Sequence, residues 1–120
     1  MEFIDILKAG VERGASDIHI VINKPPMVRY GGSIVPLVDF PELTAEESKR
    51  LIYSILYDDQ KQKFEEHLEL DCSFEVKELS RFRINVFMQK NGVEAVLRII
   101  SSKIPDPGTL RLPPSVVDFT

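Results

Sequence analysis

A chain of 120 residues, 43% hydrophobic and 28% charged, has the make-up of one globular domain long enough to bury a core. No apolar run approaches the ~20 residues of a membrane-spanning helix, and Met1–Asp5 lacks the cationic-then-apolar pattern of a secretory signal. A single cysteine, Cys72, excludes an internal disulfide, two histidines (His19 and His67) disfavour zinc, and a net charge of −4 argues against a basic nucleic-acid surface, so the expectation is a small cytosolic domain.

In chain order, Phe3, Ile4, Leu7 and Val11 fall on one face of a first helix that Gly14 would stop. Asp17 to Ile22 alternates, with Ile18, Ile20 and Ile22 on one side and Asp17 and His19 on the other, which predicts a half-buried strand. Met27–Tyr30 and Ser33–Leu37 read as a hairpin turned by Gly31-Gly32. Thr44 to Glu47 is a capping box ahead of Leu51, Ile52, Ile55 and Leu56 at helical spacing. Asp58-Asp59 predicts the cap of a shorter helix running to about Leu68, with Phe64 as its inward anchor. Three alternating strands follow, giving an α+β domain with an antiparallel meander at its end.

Residues 101–120 change character. Pro105, Pro107, Pro113 and Pro114, with Gly108 and Ser101-Ser102, read as an extended linker. Leu110, Leu112, Val116, Val117 and Phe119 are nevertheless too apolar for a free tail, which suggests the front end of something longer. The expected organisation is a domain over 1–100 and a Pro-rich linker over 101–120.

The segment from Leu70 to Ile100 carries the chemistry. Phe82, Ile84, Val86 and Met88 form one face of a strand, and Arg81, Arg83, Asn85 and Phe87 the other. With Asn91-Gly92 as a type I′ loop, Lys90 opposes Val93, Asn85 faces Arg98, and Arg83 lies diagonal to Arg98. Upstream, a loop of Glu78-Leu79-Ser80 pairs Glu75 with Arg83 and Phe74 with Ile84, whereas a four-residue loop would bury Glu75 against Phe82. The polar face then gathers Arg81, Arg83, Arg98 and Asn85 near Glu75 and Asp71, interleaved with Phe87, Val96 and Ile100. One reading is a solvated face whose arginines pair across strands with Glu75 and Glu94. The other is an anion site, because guanidinium forks match phosphate and carboxylate oxygens and three arginines outnumber two carboxylates. The apolar residues among them suggest that a partner covers the face.

Elsewhere the bland readings suffice. Asp17 and His19 are expected as a hydrogen-bonded pair on the non-core side of the first strand, with no third ligand to make a metal or acid/base site. His67 suits a helix C-terminus, and Cys72 reads as a small packed residue.

Several of these segments resemble one family, the ATPases of type IV pili and type II secretion. Gly14-Ala15-Ser16-Asp17-Ile18-His19-Ile20 resembles its "ASD-hydrophobic-H" motif, and Pro25-Pro26-Met27-Val28-Arg29 to Gly32 its following hairpin, with Gly31 where the family often has Asp. Phe74-Glu75-Val76 with Arg81-Phe82-Arg83-Ile84-Asn85, Arg98-Ile99-Ile100 with Ile104-Pro105, and Leu112-Pro113-Pro114 resemble three further family segments. The short stretch ahead of the first motif resembles the retraction type, which powers twitching motility.

The resemblance implies a PAS-like N-terminal domain with helices on one side of an antiparallel sheet, packed over a RecA-like motor domain. It implies that Arg83 and Arg98, with Arg81 second in rank, contact ATP phosphates, and that Asp17 and His19 are a structural hallmark. It also implies ATP and Mg as cofactors of the complete enzyme, none bound to this part alone, and a homohexamer working with pilus machinery at the cytoplasmic face of the inner membrane. Neither nucleic-acid binding nor membrane insertion is expected. The 120 residues hold no GxxxxGK[ST] phosphate loop, so this part alone is not expected to hydrolyse ATP. The alternatives are a free-standing PAS-like sensor of a small anion and, less favoured for want of a nucleophile, a hydrolase built on Asp17 and His19.

Overall fold

The computed structural model describes residues 2–102. The predicted linker falls almost wholly on residues 103–120, outside the described residues. The elements run α1 (Phe3–Glu12), β1 (Asp17–Ile20), β2 (Met27–Tyr30), β3 (Ser33–Pro36), α2 (Ala45–Tyr53), α3 (Asp58–His67), β4 (Glu69–Val76), β5 (Ser80–Gln89) and β6 (Gly92–Ser102). The six strands form one antiparallel sheet in the order β3-β2-β1-β6-β5-β4. The N-terminal hairpin is thus stitched to the C-terminal meander by the β1–β6 pair, whose register sets Asp17 against Arg98 and His19 against Val96.

All three helices pack on one face of this sheet. Phe3, Ile6 and Leu7 of α1, Leu51 and Ile52 of α2, and Phe64 of α3 share a core with Ile18, Ile20, Val28, Phe82, Ile84, Val86 and Leu97. Fully burying such side chains stabilises by about 1.5–3 kcal/mol each, which makes this layer the main source of stability. Ser48, buried on α2, donates its hydroxyl to the carbonyl of Val93 at 2.5 Å and ties the helix to β6. This is the expected PAS-like α+β architecture, with helices on one side of an antiparallel sheet.

Local details differ from the sequence reading in instructive ways. The buried face of α1 is Phe3, Ile6, Leu7 and Gly10, and Ile4 is exposed. The helix is rotated because Gly10 lets it lie directly on Ile18: a Cβ there would sit 2.7 Å from Ile18 Cδ1. The Gly31-Gly32 turn is as expected, with φ of 59° and 84° and Tyr30 opposite Ser33. Thr44 caps α2 by accepting from the Glu47 amide at 3.0 Å. For α3 the cap residue is Tyr57, and Asp58 and Asp59 stand inside the first turn, where they favour the positive end of the helix dipole.

The two registers of the meander are each one residue from expectation. The β5–β6 loop is Lys90-Asn91, with Gln89 opposite Gly92 at φ 140°, and the β4–β5 loop is Lys77-Glu78-Leu79, with Val76 opposite Ser80. Both loops keep the expected length but start one residue earlier. From Phe82 to Gln89, and along the whole of β4, that moves each pairing partner by two positions, so these side chains stay on their expected faces.

Candidate anion site on the open sheet face

The sheet face away from the helices holds the charged residues. Because β1, β2, β5 and β6 are in lateral register, one row across them reads Arg29, Asp17, Arg98, Arg83. Arg83 and Arg98 are direct cross-strand neighbours rather than diagonal ones, as the register correction requires. Directly opposite residues have Cβ atoms about 4.5–5.5 Å apart, and like charges there repel. A folded sheet holds such a pair only with counter-charges close by.

Those counter-charges stand on the outer flanks of the pair. Arg83 forms a two-pronged contact with Asp71, Nε to Oδ1 at 3.1 Å and Nη2 to Oδ2 at 2.9 Å. On the other side, Arg98 Nε donates to Asp17 Oδ1 at 3.2 Å. Asp17 is buried and also meets Arg29 Nε at 3.5 Å and accepts from the Ser16 hydroxyl at 2.9 Å. Arg98 therefore shares its carboxylate with a second guanidinium, and its own side chain is 73% exposed. The row and the neighbouring Asp71 set three guanidinium groups against two carboxylates, and the register puts no anion between Arg83 and Arg98. The Arg83 bond holds the Asp71 carboxyl below its usual range, and Asp71 in turn raises the affinity of Arg83 for its proton.

Arg81 stands apart from this pair. It reaches Glu75 at 3.5 Å, so Glu75 is the partner of Arg81 and not, as first expected, of Arg83. A β-bulge between Arg81 and Phe82 leaves Ile100 without a partner across the ladder, half-exposed. Val96 and Phe87 are half-buried on the same face.

His19 lies in the next row, between Met27 and Val96. It shares the non-core face with Asp17, but the two do not bond to each other. Asp17 is taken by Ser16, Arg98 and Arg29, and the buried Nε2 of His19 has no partner. Burial pushes the His19 imidazole down, Asp17 opposes that, and Arg29 adds to it. Arg29 is the member of the row that sequence reasoning did not assign to the site. Its signal was there, since alternation back from the Gly31-Gly32 turn sets it on the Asp17 side once β1 and β2 pair. Among the described residues no three His, Cys, Asp or Glu side chains group as metal ligands.

Comparison with known proteins gives this geometry its context. No protein-family profile matches the chain. It is 42% identical over 104 residues to the type IV pilus retraction ATPase PilT of Pseudomonas aeruginosa, covering 87% of this chain and 30% of that protein. It is 33% identical over 113 residues to the type IV pilus ATPase PilU of the same organism, and 35% identical over 88 residues to a twitching motility protein of Neisseria gonorrhoeae. The chain thus spans under a third of the length of these relatives. In fold it matches the crystal structure of the pilus retraction motor PilT with bound ADP at a TM-score of 0.80 and 43% identity, over 97% of this chain and 34% of that one. The ATPase DotB of Legionella pneumophila, at 20% identity and a TM-score of 0.68, shares the fold. In sequence and in fold, this chain matches the N-terminal domain of PilT and its relatives among the type IV pilus ATPases.

Proposed function

We propose that the domain serves as the nucleotide-facing clamp of a pilus retraction ATPase, with Arg83 and Arg98 contacting the phosphates of ATP and Arg81 assisting at the strand end. The observation that carries the reading is the facing pair itself, two guanidinium groups on adjacent strands with carboxylates only on their outer flanks. A polyphosphate fits the gap because its oxygens accept the paired donors of a guanidinium and relieve the repulsion between the two cations. Closure of this face over a nucleotide would exclude water and strengthen those contacts, coupling nucleotide state to domain position. Stabilising the spread phosphate charge is the main task of protein side chains in phosphoryl transfer.

In this reading the phosphate loop belongs to a RecA-like motor domain elsewhere in the complete protein. ATP and its magnesium are held there, and the metal neutralises charge on the phosphates. The half-buried apolar residues beside the arginines, Val96 and Phe87, with Ile100, meet the motor domain of the same or a neighbouring subunit of a homohexamer. The assembly works with pilus machinery at the cytoplasmic face of the inner membrane. Asp17 positions Arg98 and Arg29, and His19 supports the strand.

The test is made in the complete enzyme. Arg83→Ala and Arg98→Ala should each lower ATP turnover by about tenfold or more, with circular dichroism of the domain unchanged. Unchanged turnover would sink the clamp reading. A second reading, a sensor of a free small anion, rests on the same excess of positive charge. It expects the 120-residue chain alone to bind pyrophosphate at micromolar concentrations, whereas the clamp expects weak binding until the motor domain supplies its own contacts.

A further inference from the structure

The sheet edge at β4 offers a second surface, separate from the arginine row. β4 ends the strand order, so along its outer side the N–H and C=O groups of alternate residues have no strand partner among the described residues. On the helix side, Leu70, Cys72, Phe74 and Val76 point towards the core yet remain half-buried. Between β4, the start of α1 and the α2–α3 connection runs a groove of about 630 Å³, whose walls include Phe3, Ile4, Ile55, Tyr57, Phe74 and Val76. Its charged lining residues are Glu2 and Glu75, with no lysine or arginine among them. Each of those glutamates has an arginine near it in an exposed pair, Arg50 at 4.0 Å from Glu2 and Arg81 at 3.5 Å from Glu75, and Arg50 is held more closely by Glu47 at 2.8 Å. On the opposite side of the same strand, Glu69, Asp71, Ser73 and Glu75 are exposed.

We propose that the β4 edge docks an extended segment of a partner protein in which apolar residues alternate with lysine or arginine. Strand addition would satisfy the free edge through main-chain bonds, and the period of two sorts the side chains. Apolar residues of the added strand lie beside Cys72 and Phe74 in the groove. Its cationic residues lie on the other face beside Glu69 and Glu75. A second copy of this chain is a poor occupant: antiparallel self-pairing about Ser73 sets Asp71 against Glu75 of the second copy, and like charges directly opposite repel.

The probe is a seven-residue peptide of alternating valine and lysine, titrated into the isotope-labelled 120-residue chain and followed by amide chemical shifts. Saturable changes should centre on residues 69–76 and 54–60, and a valine–glutamate peptide should leave the spectrum unchanged. The double variant Glu69→Lys, Glu75→Lys should bind the lysine peptide about tenfold more weakly while keeping the native pattern of shifts elsewhere. If that variant fails to fold, the valine–glutamate peptide still decides. Equal binding of the two peptides, changes centred on Arg83 and Arg98, or self-association of the chain through β4 would each overturn the proposal.

Discussion

Asp17 divides one buried carboxylate among Ser16, Arg98 and Arg29, and His19, two residues on, is left with a buried ring nitrogen and nothing to bond. The consequence is a dependence of stability on pH. Burial, the largest influence, holds the His19 imidazole below its ordinary value of 6.5. As pH falls, the unfolded chain takes the proton before the folded one does. Stability is therefore full above about pH 6.5 and declines below it until the folded state also protonates. Asp71, whose carboxyl is held below its ordinary 3.8, loses its contribution as pH falls through the acidic carboxylate range. Urea unfolding at about pH 7.5 and pH 5.5 should give a lower midpoint at the acid value, and His19→Gln should flatten that difference. A difference that survives the substitution would assign it to another group.

Two elements depend on one residue each. In α1, Gly10 is the point of closest approach to β1. Alanine is favoured over glycine inside a helix by about 1 kcal/mol. Here its Cβ would lie 2.7 Å from Cδ1 and 3.0 Å from Cγ1 of Ile18, a fully buried side chain with little room to move. Overpacking of this kind costs about 1–3 kcal/mol, so Gly10→Ala should lower the melting temperature despite the better helix former. A rise would mean that α1 can move away from the sheet without loss. In α3, Phe64 is the single buried residue of ten, seated edge-on against Tyr53 at 6.3 Å between ring centres. Phe64→Ala should cost about 3–5 kcal/mol, and limited proteolysis should cut within 58–67 before it reaches α2. The Tyr53 hydroxyl donates to Glu65, and burial together with that carboxylate pushes it up to about 12, a second but exposed tie between α2 and α3.

At the scale of the molecule, three helices cover one sheet face and leave the other to a row of charges. The row spans both halves of the chain: Arg29 and Asp17 come from the N-terminal hairpin, Arg98 and Arg83 from the meander. Two side chains that meet one phosphate group act as a unit, so their effects do not add. On the proposed clamp reading, the double variant Arg83→Ala, Arg98→Ala of the complete enzyme should therefore lower turnover only slightly beyond the worse single variant. Independent, multiplying losses would mean that the two arginines serve different contacts.

Much of this was legible in the sequence because the face of a strand follows from alternation alone. Residues 70–100 show a period of two long enough to place Arg81, Arg83 and Arg98 on one side before any partner is known, and a two-position change of pairing partner leaves those faces intact. The helices at 45–53 and 58–67 and the Gly31-Gly32 turn were equally readable from capping, spacing and the need for positive φ. What alternation cannot supply is which residue stands opposite which, since Lys90-Asn91 and Asn91-Gly92 are loops of the same length that leave the faces alike. Nor can it foresee a strand pair joined across eighty residues of chain. The β1–β6 register set Arg98 beside Asp17, the β5–β6 register set it against Arg83, and both were decided by how the buried side chains of the two halves pack together.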